Sequence, residues 1–126
     1  MSDQPPVQGP HGPLSMQVFQ ILLALVDEDL HGYAIIRDVG LRTGGEVRLT
    51  ASTLYAAIKR LLENGSIEEI VRRTKSDDDP RRRYYRLTPR GREMARAEAR
   101  RLERLATMAR EKRLLPPAAL PKGSRA

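Results

Sequence analysis

From Thr50 to Glu63 the chain reads TASTLYAAIKRLLE. Leu54, Ile58, Leu61 and Leu62 stand at i, i+4, i+7 and i+8, the spacing of one helical face. At about 100° per residue, the opposite face carries Ser52, Ala56, Lys59, Arg60 and Glu63, with Thr53 at its edge and Tyr55 on the other boundary. The chemistry open to these groups is recognition rather than bond making. Hydroxyls of Ser52 and Thr53 can donate to or accept from base edges or phosphate, and small Ala56 lets a backbone come close to a groove floor. Lys59 suits phosphate, Arg60 suits phosphate or a guanine edge, and Tyr55 can pack its ring and present its hydroxyl to phosphate. A solvated helix surface has a similar composition. What stands beside this one is a basic cluster from Arg72 to Arg86, in which Arg81, Arg82 and Tyr84 face Lys75 across a turn.

Other chemistries find no support. There is no cysteine and there are only two histidines, His11 and His31, so disulfides and thiolate metal sites are excluded and a zinc site would need an unusual carboxylate set. No nucleophile–base pair, phosphate-binding glycine loop or metal-ligand spacing is present, so no catalytic residue, metal site or cofactor is expected, and the chain does not read as an enzyme. Asp77, Asp78 and Asp79 are consecutive; they lack the alternate spacing of a calcium loop and read as a turn. His31 reads as a helix cap or packing residue, Tyr33 as partly core, and Met16, Met94 and Met108 as core filling.

These groups need elements to hold them. Residues 1–13, with four prolines, read as a disordered arm. LSMQVFQILLALVDED is apolar almost all round a helix, which implies burial on more than one side and a share in a subunit interface. LHGYAIIRDVGLRTGG reads as a short helix closed by Gly44-Gly45; Gly40 within it implies close packing or an early break. The TASTLY helix follows, with Thr50 as N-cap and Asn64-Gly65 as its stop. SIEEIVRRTK and RRYYRL flank SDDDPR as a β-hairpin. In its second strand Arg83, Tyr85 and Leu87 share one face, and Arg82, Tyr84 and Arg86 the other. Thr88-Pro89 opens a long helix expected to end at Pro116-Pro117. The fold class is mostly α with a small β-hairpin: a winged helix-turn-helix over 14–88, a C-terminal dimerisation helix over 89–115 and a disordered tail over 116–126.

The charge is uneven. Residues 1–88 hold 12 basic and 12 acidic residues, whereas residues 89–113 hold 9 and 4, within a net charge of +7. A small basic chain points to a polyanion partner. No signal segment or membrane-spanning run is seen, and the expected location is cytoplasmic.

LHGYAII, TASTLYAAIKRLLENGSI and RRRYYRLTPRG, in that order, resemble the PadR family of bacterial transcriptional regulators. The resemblance covers about residues 14–113. It implies a winged-helix homodimer that binds a double-stranded DNA operator and represses transcription. The single C-terminal helix is similar to that of the short PadR subfamily, some of whose members are released by small planar drugs. Three features depart from the family pattern: Ser66-Ile67 after the reading helix, the acidic wing tip SDDDP, and Leu102 where ligand-binding members carry an aromatic residue.

The candidate DNA-binding residues are therefore Ser52, Thr53, Tyr55, Lys59, Arg60, Lys75, Arg81, Arg82 and Tyr84. The candidate dimer interface is Met16, Phe19, Leu22, Leu23, Met94, Leu102, Leu105 and Ala109. Met16, Phe19 and Leu102 would form the pocket for a small hydrophobic effector. A winged-helix adaptor that binds protein without reading DNA sequence is the competing expectation.

Overall fold

The computed structural model describes residues 12–73 and 81–118, with side chains at all of these positions except 72, 73 and 81. Four helices and three strands follow in the order α1 (Met16–Ala24), β1 (Leu30–His31), α2 (Gly32–Arg42), α3 (Ala51–Glu63), β2 (Ile67–Arg73), β3 (Arg81–Leu87) and α4 (Pro89–Glu111). The expected arm up to residue 11, most of the expected tail, the aspartate-rich turn and Lys75 lie outside the described residues.

Each helix starts where a side chain can satisfy a free backbone N–H. Ser15 caps α1 by accepting from Val18 N, Thr50 caps α3 by accepting from Thr53 N, and Thr88 caps α4 by accepting from Gly91 N. α2 is capped by His31, whose Nδ1 accepts from Ala34 N at 3.2 Å. The cap role read for His31 is thus its role in the fold.

The sheet is antiparallel in the order β1-β3-β2. β1 was not expected: the sequence places Leu30 and His31 at the start of a helix. Two residues carry no periodicity, and the strand exists because Leu30 and His31 pair with Tyr85 and Tyr84. Tyr85 and Leu87 point into the core, as the two-residue alternation requires.

The core joins Val18, Ile21, Leu22 and Leu25 from α1 and its end to Ile35 and Val39 of α2, Leu54, Ile58 and Leu61 of α3, and Met94 and Ala95 of α4. This corrects two interface assignments. Leu22 and Met94 are buried inside the protomer and have no surface left for a partner. Of the three methionines read as core, only Met94 is; Met16 and Met108 are exposed. Tyr33 is also exposed, at 66 %. Gly40 neither breaks α2 nor packs closely, since a Cβ there would meet nothing within 4 Å.

α4 stops earlier than its prolines suggest. Lys112 caps it, Arg113 takes φ 63°, and Leu114 N donates back to Ala109 O. A left-handed residue with this return hydrogen bond terminates a helix locally, four residues before Pro116.

Candidate nucleic-acid interface

α3 turns Leu54, Ala57, Ile58 and Leu61 inward. Ala57 rather than Leu62 completes the buried stripe; Leu62 is half-buried beside it. Outward, Ser52, Tyr55, Ala56, Lys59 and Glu63 are exposed. Thr53 is less available than expected, because its Oγ1 accepts from Thr50 Oγ1 at 2.9 Å. Arg60 is half-buried on the flank. The outward face is therefore one small hydroxyl, two small methyl groups (Ala51 lies beside Ser52), a tyrosine and a lysine, with Glu63 at its far end and no large apolar side chain but Tyr55.

Tyr55 does not stand free of the domain. A Cβ added to Gly32 would overlap its hydroxyl oxygen and lie 2.8 Å from its Cζ. The phenol therefore rests on the first residue of α2, and a side chain at Gly32 would oblige the Tyr55 ring to move.

The residue before that glycine gathers the wing. His31 Nε2 lies 3.0 Å from Arg82 Nη1, and its ring meets Tyr84 edge to face with centroids 5.5 Å apart. The start of α2 thus touches α3 through Tyr55 and the hairpin through Arg82 and Tyr84. Both wing residues were expected to face a partner directly; both are engaged on His31 as well. Arg86, on the same strand face, forms a two-pronged ion pair with Asp29, with Nη2–Oδ2 at 2.9 Å and Nε–Oδ1 at 3.3 Å. That pairing holds the Arg86 guanidinium firmly protonated. Arg83, on the core-side strand face, is mostly exposed and reaches Glu69 at 3.5 Å. It was not among the expected site residues. The hydroxyl of Tyr85 is shifted up, chiefly by burial and then by Glu69.

Arg81 belongs to β3 and pairs with Arg73; Lys75 lies outside the described residues. Arg48 and Tyr33 are exposed near the two ends of α2, and Arg48 Nε donates to Gly45 O at 3.1 Å. Tyr33 reads in the sequence as partly core with its hydroxyl toward DNA phosphate, and Arg48 was not singled out at all, since it sits outside the periodic stretch.

The expected interface residues divide. Met16, Leu102 and Leu105 are exposed at 64, 40 and 46 %, and Phe19, Leu23 and Ala109 are half-buried. A cleft beside Met16 is lined by Gln17, Gly45, Glu46, Val47 and Arg48, without Phe19 or Leu102. Among the described residues no cluster of three metal-ligating side chains occurs, and no helix is long and apolar enough to cross a membrane.

Comparison with known proteins agrees with this architecture. A curated relative, an uncharacterised protein X from Lysinibacillus sphaericus, is 32% identical over 71 residues, or 56% of this chain. The match spans 63% of that relative's length. A transcriptional regulator from Clostridium thermocellum superposes with a TM-score of 0.64 at 28% identity, covering 75% of this chain and 86% of that one. The Bacillus subtilis PadR structure, solved in complex with operator DNA, superposes with a TM-score of 0.56 at 19% identity, over 90% of this chain and 55% of that one. Its likeness is one of fold. The sequence profile of the Transcriptional regulator PadR-like family matches residues 21–97, from the middle of α1 through most of α4's packed half. The chain therefore belongs to the PadR-like family of transcriptional regulators.

Proposed function

We propose that this protein is a homodimeric repressor that reads a two-fold symmetric DNA operator. The observation that carries the reading is the outward face of α3, where Ser52, Tyr55, Ala56 and Lys59 are exposed together and carry little bulk. A helix that enters a major groove needs such a face. Ser52 and Lys59 make the first contacts, to base edges and phosphate respectively. Tyr55 adds its hydroxyl from its seat on Gly32. Arg60 and Thr53 flank them, and the wing contributes Arg81, Arg82, Tyr84 and Lys75. The operator-bound structure of the B. subtilis relative supports this choice of partner.

The second copy sits on the exposed side of α4 at Leu102, Leu105 and Ala109, with Phe19, Leu23 and Met16 of α1 alongside. A small hydrophobic effector would enter between the copies near Met16, Phe19 and Leu102 and release the DNA. The cytoplasm is the compartment this role requires.

The test is selection from a random duplex library at two salt concentrations, with the oligomeric state measured on the same sample. A palindromic motif that loses affinity at high salt is the expected result. Salt-sensitive binding with no motif would overturn the sequence-reading role in favour of a protein-binding adaptor.

A further inference from the structure

The dimer reading leaves open what holds the reading helix at a fixed angle to the dimerisation helix. α3 and α4 meet through the turn Asn64-Gly65-Ser66. Four contacts converge there. Thr88 N donates to Ser66 O at 3.1 Å. Thr88 Oγ1 donates to Gly65 O and also accepts from Gly91 N. Ser66 is fully buried, and its Oγ lies 2.8 Å from Met94 Sδ. Finally, Gly91 presses on the Ser66 carbonyl: a Cβ there would overlap the oxygen and lie 2.9 Å from the carbon.

The turn is tied equally well to α3. Ser66 N donates to Leu61 O at 2.9 Å, and both its N and its Oγ reach Asn64 Oδ1. The last turn of the reading helix and the first two turns of α4 are therefore one hydrogen-bonded unit. The same stretch of α4 is fastened to α1 by Arg92, which donates to Val26 O, and by Glu98, which accepts from Leu14 N. Beyond Glu98, Leu102, Leu105 and Met108 are exposed and α4 leaves the domain.

We infer that Ser66, Thr88 and Gly91 are positioning residues for operator recognition: they form a latch that sets the angle between α3 and α4, and so the spacing of the two half-sites. The inference rests on the dimeric DNA-reading function above. Its lever is long. From Gly91 to Ala109 the helix spans ~27 Å at ~1.5 Å per residue. A tilt of roughly 7° at the latch would move the far end by ~3.4 Å, the rise of one base pair. In a two-fold dimer such a tilt repositions both reading helices.

Two variants probe the latch. Gly91→Ala forces the Ser66 carbonyl away. Thr88→Ala removes both hydroxyl contacts and adds no atom that could overlap the turn, so it carries the test if Gly91→Ala does not fold. Thr88→Ser retains the hydroxyl and serves as the rescue. Each full-length dimer is offered duplexes in which the two half-sites selected by the wild type are separated by spacers of every length. Under the latch, wild type and Thr88→Ser choose the same spacer, whereas Gly91→Ala and Thr88→Ala shift it by one base pair or more or accept several lengths equally. Folded, dimeric variants that keep the wild-type spacer, with any uniform loss of affinity, overturn the latch while leaving the DNA-reading function intact. A wild type that selects no paired half-sites overturns that function, and the latch with it.

Discussion

α3 and α4 are both amphipathic, and each turns one side toward the same core, yet they present opposite chemistry outward. α4 has more arginine than any other part of the chain, but much of that charge is already satisfied. Arg96 and Arg100 share Glu93, Arg101 holds Glu98 at 3.0 and 2.6 Å, Arg92 donates to Val26 O and Arg110 to Pro116 O. Beside those charges α4 leaves Leu102, Leu105 and Met108 exposed. α3 carries only two basic residues, but among the described residues Lys59 has no ion-pair partner and stands beside Ala56 on an exposed face. Under the proposed function, the comparison makes basic residue count a poor guide to the polyanion surface: unpaired charge on a low, accessible face would mark it, and exposed leucine and methionine on a helix that leaves its core would mark the second copy.

The comparison predicts its largest effect within α4 itself. Met94→Ala should cost about 2–5 kcal/mol of protomer stability, because it empties a fully packed site. Leu105→Arg should change protomer stability by no more than about 0.5 kcal/mol, since Leu105 lies on the exposed side of α4. It should instead abolish the dimer. Urea unfolding and sedimentation on both variants separate the two outcomes. A Leu105→Arg protein that stays dimeric would place the partner elsewhere than on the exposed face of α4.

This division was only partly visible in the sequence. α3 was legible because large apolar and small polar residues alternate with a clear 3.6-residue period, so Leu54, Ile58 and Leu61 could be placed inside and Ser52 and Lys59 outside. α1 was not legible in the same way. Nearly every position is apolar, so periodicity cannot say which side meets the core and which meets a partner, and Leu22 was assigned to the wrong one. Met94 reads both as core, which holds, and as interface, which does not, because α4 has so few apolar residues that those for the core and those for the exterior look alike. β1 has no local signature at all; its two residues become a strand through hydrogen bonds to a segment more than fifty residues away. The same distance hid the meeting of His31 with Arg82 and Tyr84, and a separation of 23 residues hid the fit of Tyr55 on Gly32. The stop of α4 was missed because Arg113 adopts a left-handed conformation usually taken by glycine, and the prolines offered a more obvious stop.

A smaller effect tests how α4 uses its charges. Glu98 is 4 % exposed and accepts from Leu14 N and from Arg101. The Arg101 hydrogen bonds, then the Leu14 N–H, outweigh the cost of burial and hold its carboxyl below the ordinary range. A depressed carboxyl stabilises the fold above its unfolded value of about 4.3, and that contribution fades as pH falls through the lower folded value. Glu98→Gln should therefore cost about 1–3 kcal/mol near neutrality, with the gap from wild type closing as the solution is acidified below about pH 4. Parallel urea titrations at neutral and acid pH check this. A gap that persists unchanged in acid would mean that Glu98 acts through shape rather than charge.

The smallest effect is the most discriminating, because it sets one lysine of α3 against the arginines of α4. If Lys59 meets a phosphate, Lys59→Ala should lower the slope of log affinity against log salt by about 0.9, the release of roughly one counterion. Arg100→Ala removes a charge of the same sign that is paired with Glu93 and lies on the other helix; it should leave the slope unchanged. Both variants keep the fold, since both side chains are exposed. Measured by fluorescence anisotropy on the selected operator across a salt series, equal slopes for the two variants would show that net charge, not the α3 face, governs binding. A slope change confined to Lys59→Ala would tie recognition to the outward face of the reading helix, one contact at a time.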